Sequence, residues 1–405
     1  MAGRFAPRAQ QLCAPALLCF QFLNFHSRSL SAAFVSNPML LAPASDKGLR
    51  KHPPPFQRHA AFPGFERGTA TSQRFGVLRS LASGVDSQDK APEDFHISVL
   101  RDEVLDVFSG VKVRNFIDGT LGMGGHLLSI CENNAGTLEL LIGIDQDPTA
   151  LQLAGERLSR FQDKTKLVSG NFADIEALAQ ENGMQPGSVD GILLDIGTSS
   201  LQLDEASRGF SFMRDGPLDM RMDPNGPLTA ADICNYWSEE EIAQVLWEYG
   251  EERKSRSMAK KIVKAREEKP IETTLELCKV IGGARHGKGI HPATLAFQGL
   301  RIAVNRELHV LSTVLPQAVN LLGSGGRLAV ISFHSLEDRI VKQYFRDVSG
   351  SEQKVHKNKY AREAEPEPEP GSLRLVTKRP ITAQPGEEKL NPRSRSAKLR
   401  VLEKV

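Results

Sequence analysis

The stretch D-G-T-L-G-M-G-G-H, residues 118–126, sets the architecture of this chain. It follows directly on a short apolar run, 115–118, and opens a segment that reads as a helix. Glycines at such a junction let the backbone approach a ligand closely and leave amide N–H groups free at a helix N-terminus. Further along, L-L-I-G-I-D (140–145) is a second β-like run and 166–170 a weaker third. V-D-G-I-L-L-D-I-G (189–197) is a fourth, and G-R-L-A-V-I-S-F (326–333) a fifth. Helical periods separate the first four, as in 148–161, where Leu151, Ala154 and Leu158 share a face. Continuous apolar strands between helices indicate a parallel sheet covered on both faces. With 375–381 and 397–404 as two final strands, the expectation is an α/β, Rossmann-like, mostly parallel seven-stranded sheet. Each stronger strand ends in a polar residue or glycine, which is where ligands bind in open α/β sheets.

The chain has 405 residues, 40% apolar and 25% charged, which excludes a collagen-like, disulfide-stapled or mostly disordered protein. No run reaches the roughly 18–20 apolar residues of a membrane-spanning helix. The net charge of +2 is unevenly spread: residues 1–90 hold 11 Lys/Arg against 4 Asp/Glu, leaving 40 basic and 45 acidic side chains elsewhere. Nucleic acid would therefore be met through local patches and not a global positive field. Residues 1–90 read as an organellar transit peptide, acid-poor and bearing Arg and Ser, with a secretory signal or an unstructured segment as alternatives. Cys13 and Cys19 would leave with that leader. Cys131, Cys234 and Cys278 are too widely spaced for a disulfide framework or zinc knuckle, and no metal is expected.

From 204 to 291 the β-like runs stop, and the segment reads as a helical insertion in an α/β domain formed by 91–203 and 292–405. Ser238 to Glu241 forms a capping box before an apolar stripe of Ile242, Val245, Leu246 and Tyr249, and Gly250 suits the helix end. A basic helix is expected from Glu251 to about Lys269, and a long amphipathic stretch over 293–322. Residues 351–390 are partly loop, with the acidic Pro-rich run 363–370 as a solvated segment.

The glycine turn alone is only moderately specific, because dinucleotide enzymes use a similar one. Asp145 ends the second strand, where a carboxylate accepts from two ribose hydroxyls. Together they imply a nucleoside-bearing cofactor, either NAD(P) or S-adenosylmethionine; a structural turn with a surface Asp is the bland alternative. Asp195 ends the fourth strand. A carboxylate there favours the ammonium and sulfonium of S-adenosylmethionine over an anionic pyrophosphate; a cap on the following turn is the alternative.

Longer motifs then carry a resemblance. They are D-G-T-L-G-M-G-G-H, I-D-Q-D-P (144–148), G-I-L-L-D-I-G-T-S-S-L-Q-L-D (191–204) and R-G-F-S-F-M-R-D-G-P-L-D-M-R-M-D (208–223). Y-G-E-E-R (249–253), H-P-A-T-L-A-F-Q-G-L-R-I-A-V-N (291–305), S-F-H-S-L-E-D-R-I-V-K (332–342) and N-P-R-S-R-S-A-K-L-R (391–400) complete the set. From His96 onward the chain resembles the small-subunit ribosomal-RNA methyltransferase H (MraW-like) family. The resemblance implies a class I methyltransferase fold and methylation of a cytidine N4 amine in small-subunit ribosomal RNA, free or in an assembling subunit. It also implies S-adenosylmethionine contacts at Gly124, Gly125, His126, Asp145, Phe172, Asp195 and Gln202. The leader and the acidic Pro-rich run depart from the bacterial pattern.

No cysteine lies within these motifs, which disfavours covalent C5-pyrimidine chemistry. The Asn/Asp-Pro-Pro-aromatic motif of many amine methyltransferases is also absent after Asp195. Ser332, His334 or Ser335, at the end of the fifth strand, is expected to receive the amine or its proton, with a structural His334 as the alternative. The target base must leave its stack to react. Arg208, Phe210, Phe212, Arg214 and Arg221 are candidates to stack on bases and bind phosphate; the alternative is core phenylalanines and arginines paired to Asp215, Asp219 and Asp223. A dehydrogenase and a non-catalytic ribosome-assembly factor are the other function classes. A homodimer is compatible with the sequence, no membrane association is expected, and the Met-Ala start with a Ser/Ala-rich leader favours a plastid over a mitochondrion.

Overall fold

A computed structural model describes residues 98–282, 291–350 and 372–405. The leader 1–90, His96 and the acidic run 363–370 lie outside the described residues. The first part alternates helix and strand: α1 (Arg101–Phe108), β1 (Asn115–Asp118), α2 (Gly125–Asn134), β2 (Leu140–Asp145), α3 (Pro148–Arg157), β3 (Thr165–Ser169), α4 (Ile175–Glu181) and β4 (Val189–Asp195). Helices follow: α5 (Ser200–Asp204), α6 (Ala230–Tyr236), α7 (Glu239–Glu248), α8 (Ser255–Glu268), α9 (Thr274–Ile281), α10 (Pro292–Asn305) and α11 (Glu307–Leu321). The chain then returns to the sheet through β5 (Leu322–Ser332), α12 (Ser335–Val348), β6 (Leu373–Leu375), α13 (Pro385–Leu390) and β7 (Lys398–Lys404).

These strands form one seven-stranded sheet in the order β3-β2-β1-β4-β5-β7-β6. The first five are parallel, and β7 runs antiparallel to both its neighbours. Alternate residues point to opposite faces, and both faces are covered. Phe116, Leu141 and Leu193 pack toward α1, α2 and α3, whereas Ile117, Ile142, Ile192 and Leu194 pack toward α4, α11 and α12. Two-sided burial explains why the runs are apolar without alternation. Each such side chain contributes about 1.5–3 kcal/mol.

The 204–291 segment builds a third core around Phe210, Ile233, Ile242, Leu246, Ile262 and Leu277, which also takes in Ala296, Phe297 and Leu300 of α10. The Ser238 capping box forms: its Oγ accepts from Glu241 N at 3.2 Å, and Glu241 Oε2 accepts from Ser238 N at 2.9 Å.

Several elements differ from expectation for local reasons. The basic helix starts at Ser255 because Glu251 is left-handed (φ 51°) and Glu252 accepts from Lys254 N at 2.7 Å. The 293–322 stretch is two helices, broken where Arg306 takes φ 52°. Gly250 serves close approach, since a Cβ there would meet Leu295 O of α10 at 2.5 Å. In the 375–381 region the strand ends at Leu375, and Ile381 forms an isolated bridge to Leu399.

Candidate active site at the carboxyl edge of the sheet

The strand order reverses between β1 and β4, and a cavity of about 330 Å³ opens over that edge. The glycine turn forms its floor. Gly119 N donates to Leu193 O and Leu121 N to Ile144 O, each at 2.9 Å, so the turn is laced to β4 and β2. Thr120 Oγ1 accepts from Asp195 N at 2.6 Å. Gly122 and Gly124 are both left-handed, with φ of 51° and 75°. A Cβ on Gly125 would fall 2.3 Å from Ser98 Oγ, so the bare backbone opens the start of α2 to the cavity.

Three carboxylates end the central strands. Asp118 is fully buried, and burial pushes its carboxyl up to about 7 against the pull of His126 and of the Thr120 amide. Burial also raises Asp145, while Asp147 N and Gly122 N, donating at 2.9 and 2.8 Å, act the other way. Asp195 Oδ2 lies 3.6 Å from His126 Nε2 in the first turn of α2. Its Oδ1 and both His126 ring nitrogens are buried without a hydrogen bond among the described residues. An orphaned carboxylate oxygen beside orphaned imidazole nitrogens and an open helix N-terminus suits a zwitterionic ligand: ammonium toward Asp195, carboxylate toward His126 and the α2 amides. Those residues fit the amino-acid end of S-adenosylmethionine, and Asp145 its ribose.

Of the expected cofactor contacts, Gly125, His126, Asp145, Phe172, Asp195 and Gln202 all line the cavity. Gln202 does so while capping α5, its Oε1 accepting from Ser199 N at 3.0 Å. Gly124 is set back; it packs toward α3, where a Cβ would lie 3.2 Å from Ala154 Cβ, and Gly122 takes its place at the lining.

The expected catalytic residues do not reach the cavity; Phe333, between them, does. Ser332 is buried against β7, with Lys398 O at 3.5 Å from its Oγ. His334 caps α12, its Nε2 3.0 Å from Glu337 Oε1, and Ser335 Oγ bonds Glu251. The strand ends at Ser332, and the three side chains turn to β7, α12 and Glu251 instead.

The proposed base-stacking stretch is likewise committed elsewhere. Phe210 is buried and Phe212 packs against Phe297 and His291, with ring centroids at 5.0 and 5.1 Å. Arg208 pairs with Asp147 and donates to Arg221 O and Met222 O at 3.1 and 3.0 Å. Arg221 grips Asp219, and exposed Arg214 bonds Asp204 O. Arg208 and Arg221 thus brace this segment, and Arg214 is the exposed arginine of the set.

Sequence reasoning missed Thr198, Met222 and Arg301, which line the cavity, as Phe333 does. The only signal was their place in the long motifs. Nearby, Glu307, His334 and Glu337 bring ligand-type atoms within 4.8 Å of one another, but both Glu307 oxygens are bonded to Arg301. Among the described residues, no helix is long and apolar enough to cross a membrane.

Comparison with known proteins agrees with this chemistry. Curated relatives include the ribosomal RNA small subunit methyltransferase H of Heliobacterium mobile, 48% identical over 77% of this chain and 100% of its own length. The protein of that name from Pelobacter propionicus is 47% identical over 76% and 98%. Among solved structures, a putative rRNA methylase from Clostridium thermocellum overlaps 77% of this chain and 100% of its own at 10% identity, with a TM-score of 0.35. The fold is read from the strand order and not from that overlap. The sequence model of the MraW methylase family matches residues 93–405. With a match of that extent, the chain belongs to the MraW methylase family and is a methyltransferase that uses S-adenosylmethionine.

Proposed function

We propose that this chain methylates the N4 amine of a cytidine in small-subunit ribosomal RNA, within an organelle and in a plastid in preference to a mitochondrion. The relatives' printed name supports the RNA class. The shared motifs support the amine, and the acid-poor leader supports import. The observation that carries the reading is the lining of the cavity. Besides the expected cofactor contacts it includes Thr198, Met222, Arg301 and Phe333, side chains available to an acceptor.

When bound, S-adenosylmethionine supplies a methyl carbon made electrophilic by its sulfonium. The chain's residues act by placement. Asp195, His126 and the α2 amides fix the amino-acid end. An aromatic amine becomes nucleophilic only when its hydrogens are held and the nitrogen pyramidalises, and Thr198, which lines the cavity from the loop after β4, carries a hydroxyl of the chemistry to accept one of them. Covalent attack on the ring has no nucleophile among the described cysteines. None lines the cavity, and burial pushes the thiols of Cys131 and Cys234 up to about 12. With Phe210 and Phe212 in the core, the exposed Arg256, Lys260 and Lys264 of α8 offer the phosphate contacts.

The test is to incubate the protein with methyl-labelled S-adenosylmethionine and small-subunit ribosomal RNA, then digest to nucleosides. Label in N4-methylcytidine supports the reading; label on C5, on ribose, or none overturns it. A fluorescent fusion scored for plastid or mitochondrial import tests the location.

A further inference from the structure

Arg301 brings a cation to the cavity from outside the expected cofactor contacts. Arg301, near the end of α10, lines the cavity beside Met222 and Phe333. Its Nε and Nη2 each donate at 2.8 Å to the two oxygens of Glu307, a bidentate fork. Glu307 is buried, and it folds back onto the preceding helix because Arg306 between them is left-handed, a conformation that costs a non-glycine residue about 1–2 kcal/mol. Asn305 completes the clamp: its Oδ1 accepts from Met222 N at 2.7 Å and its Nδ2 donates to Met220 O at 2.8 Å. The end of α10 thus holds Arg301 and Met222 in fixed relation. The fork leaves Nη1, with two N–H donors, without a partner among the described residues.

Arg157, Arg301 and Arg393 line the cavity together with Asp145 and Asp195. Arg157 is bonded to the glycine turn, its Nη1 donating to Met123 O at 3.3 Å, and Arg393 pairs with Asp204. Arg301 enters from α10, and its guanidinium suits an electron-rich ligand better than the ammonium and sulfonium of the cofactor. We propose that Arg301, clamped by Glu307, is a substrate-positioning residue whose Nη1 donates to an acceptor oxygen of the nucleotide being methylated. Phosphate and base-carbonyl oxygens share that acceptor chemistry, and the apolar Phe333 lines the same cavity. The inference rests on the nucleotide-methylating reading above.

The test compares the full chain with Arg301→Gln, Arg301→Lys and Glu307→Gln, each checked for wild-type unfolding cooperativity. S-adenosylmethionine affinity should stay within about twofold. Loss of a charged hydrogen bond should lower kcat/KM for small-subunit RNA by roughly tenfold to a hundredfold, with Arg301→Lys between Gln and wild type and Glu307→Gln following the same direction. Direct binding of cytidine and of cytidine 5′-monophosphate separates the two oxygens. If phosphate is held, the monophosphate binds wild type more tightly and the advantage disappears in Arg301→Gln. If the base carbonyl is held, both ligands weaken equally. Unchanged kcat/KM and nucleotide binding in a folded Arg301→Gln protein would make the pair a brace between α10 and α11 and overturn the proposal. Equal loss of S-adenosylmethionine binding would overturn it too. Should wild type label no RNA, the function reading fails by itself, and the nucleotide-binding comparison still decides the role of Arg301.

Discussion

Asp118 shows how burial and function compete at a single side chain. It sits where three strands end, its carboxyl raised from 3.8 to about 7 by burial, with Asp145 and Asp195 adding repulsion. Between those values the folded protein keeps a proton that the unfolded chain has released, so stability falls as pH rises from about 4 to about 7. Asp118→Asn retains an oxygen for the Thr120 amide, 3.1 Å away, and carries no charge. Urea unfolding of both proteins at pH 5 and pH 8 should show wild type losing stability relative to the variant; a constant difference would place Asp118 as an ordinary ionised carboxylate. The same scale shows what the text could convey. Asp145 and Asp195 were legible because each ends an apolar run whose strand character is clear. Ser332, His334 and Ser335 were not, since at a strand end one position decides whether a side chain faces the cavity or the neighbouring β7. Phe333 holds that position.

Among the elements, the five parallel strands are legible from their continuous apolar runs, a pattern that two-sided burial demands. The break at Arg306 is invisible, because no Gly or Pro marks it and a tertiary pair, Arg301–Glu307, holds it in place. Gly250 is visible, and its purpose is not: it lies where α7 ends against α10, with Leu295 O 2.5 Å and Leu246 O 2.6 Å from any added Cβ, and with Gly299 facing it. Gly250→Ala should force the two helices apart and destabilise the protein by about 1–3 kcal/mol, read in denaturant melts. Wild-type stability would mean that the helices separate at no cost.

For the molecule as a whole, a well-buried ion pair among the described residues ties the insertion to the sheet. Arg208 reaches Asp147, the residue that caps α3 by accepting from Thr149 N at 3.0 Å, and it also holds the carbonyls of Arg221 and Met222. Removing one partner strands a buried charge. Arg208→Ala should therefore cost about 3 kcal/mol and weaken S-adenosylmethionine binding, because the 145–148 loop loses its clamp. A variant that melts and binds like wild type would show that the insertion core alone fixes the geometry. This long-range tie was written as an arginine-rich stretch, which sequence cannot distinguish from an RNA-binding one.

Calorimetric titration of wild type and Asp195→Asn with S-adenosylmethionine is the decisive measurement. The orphaned Oδ1 and its negative charge should make the wild type bind roughly tenfold to a hundredfold more tightly than the variant. Equal affinity, or no binding by the wild type, would contradict the assignment of this cavity.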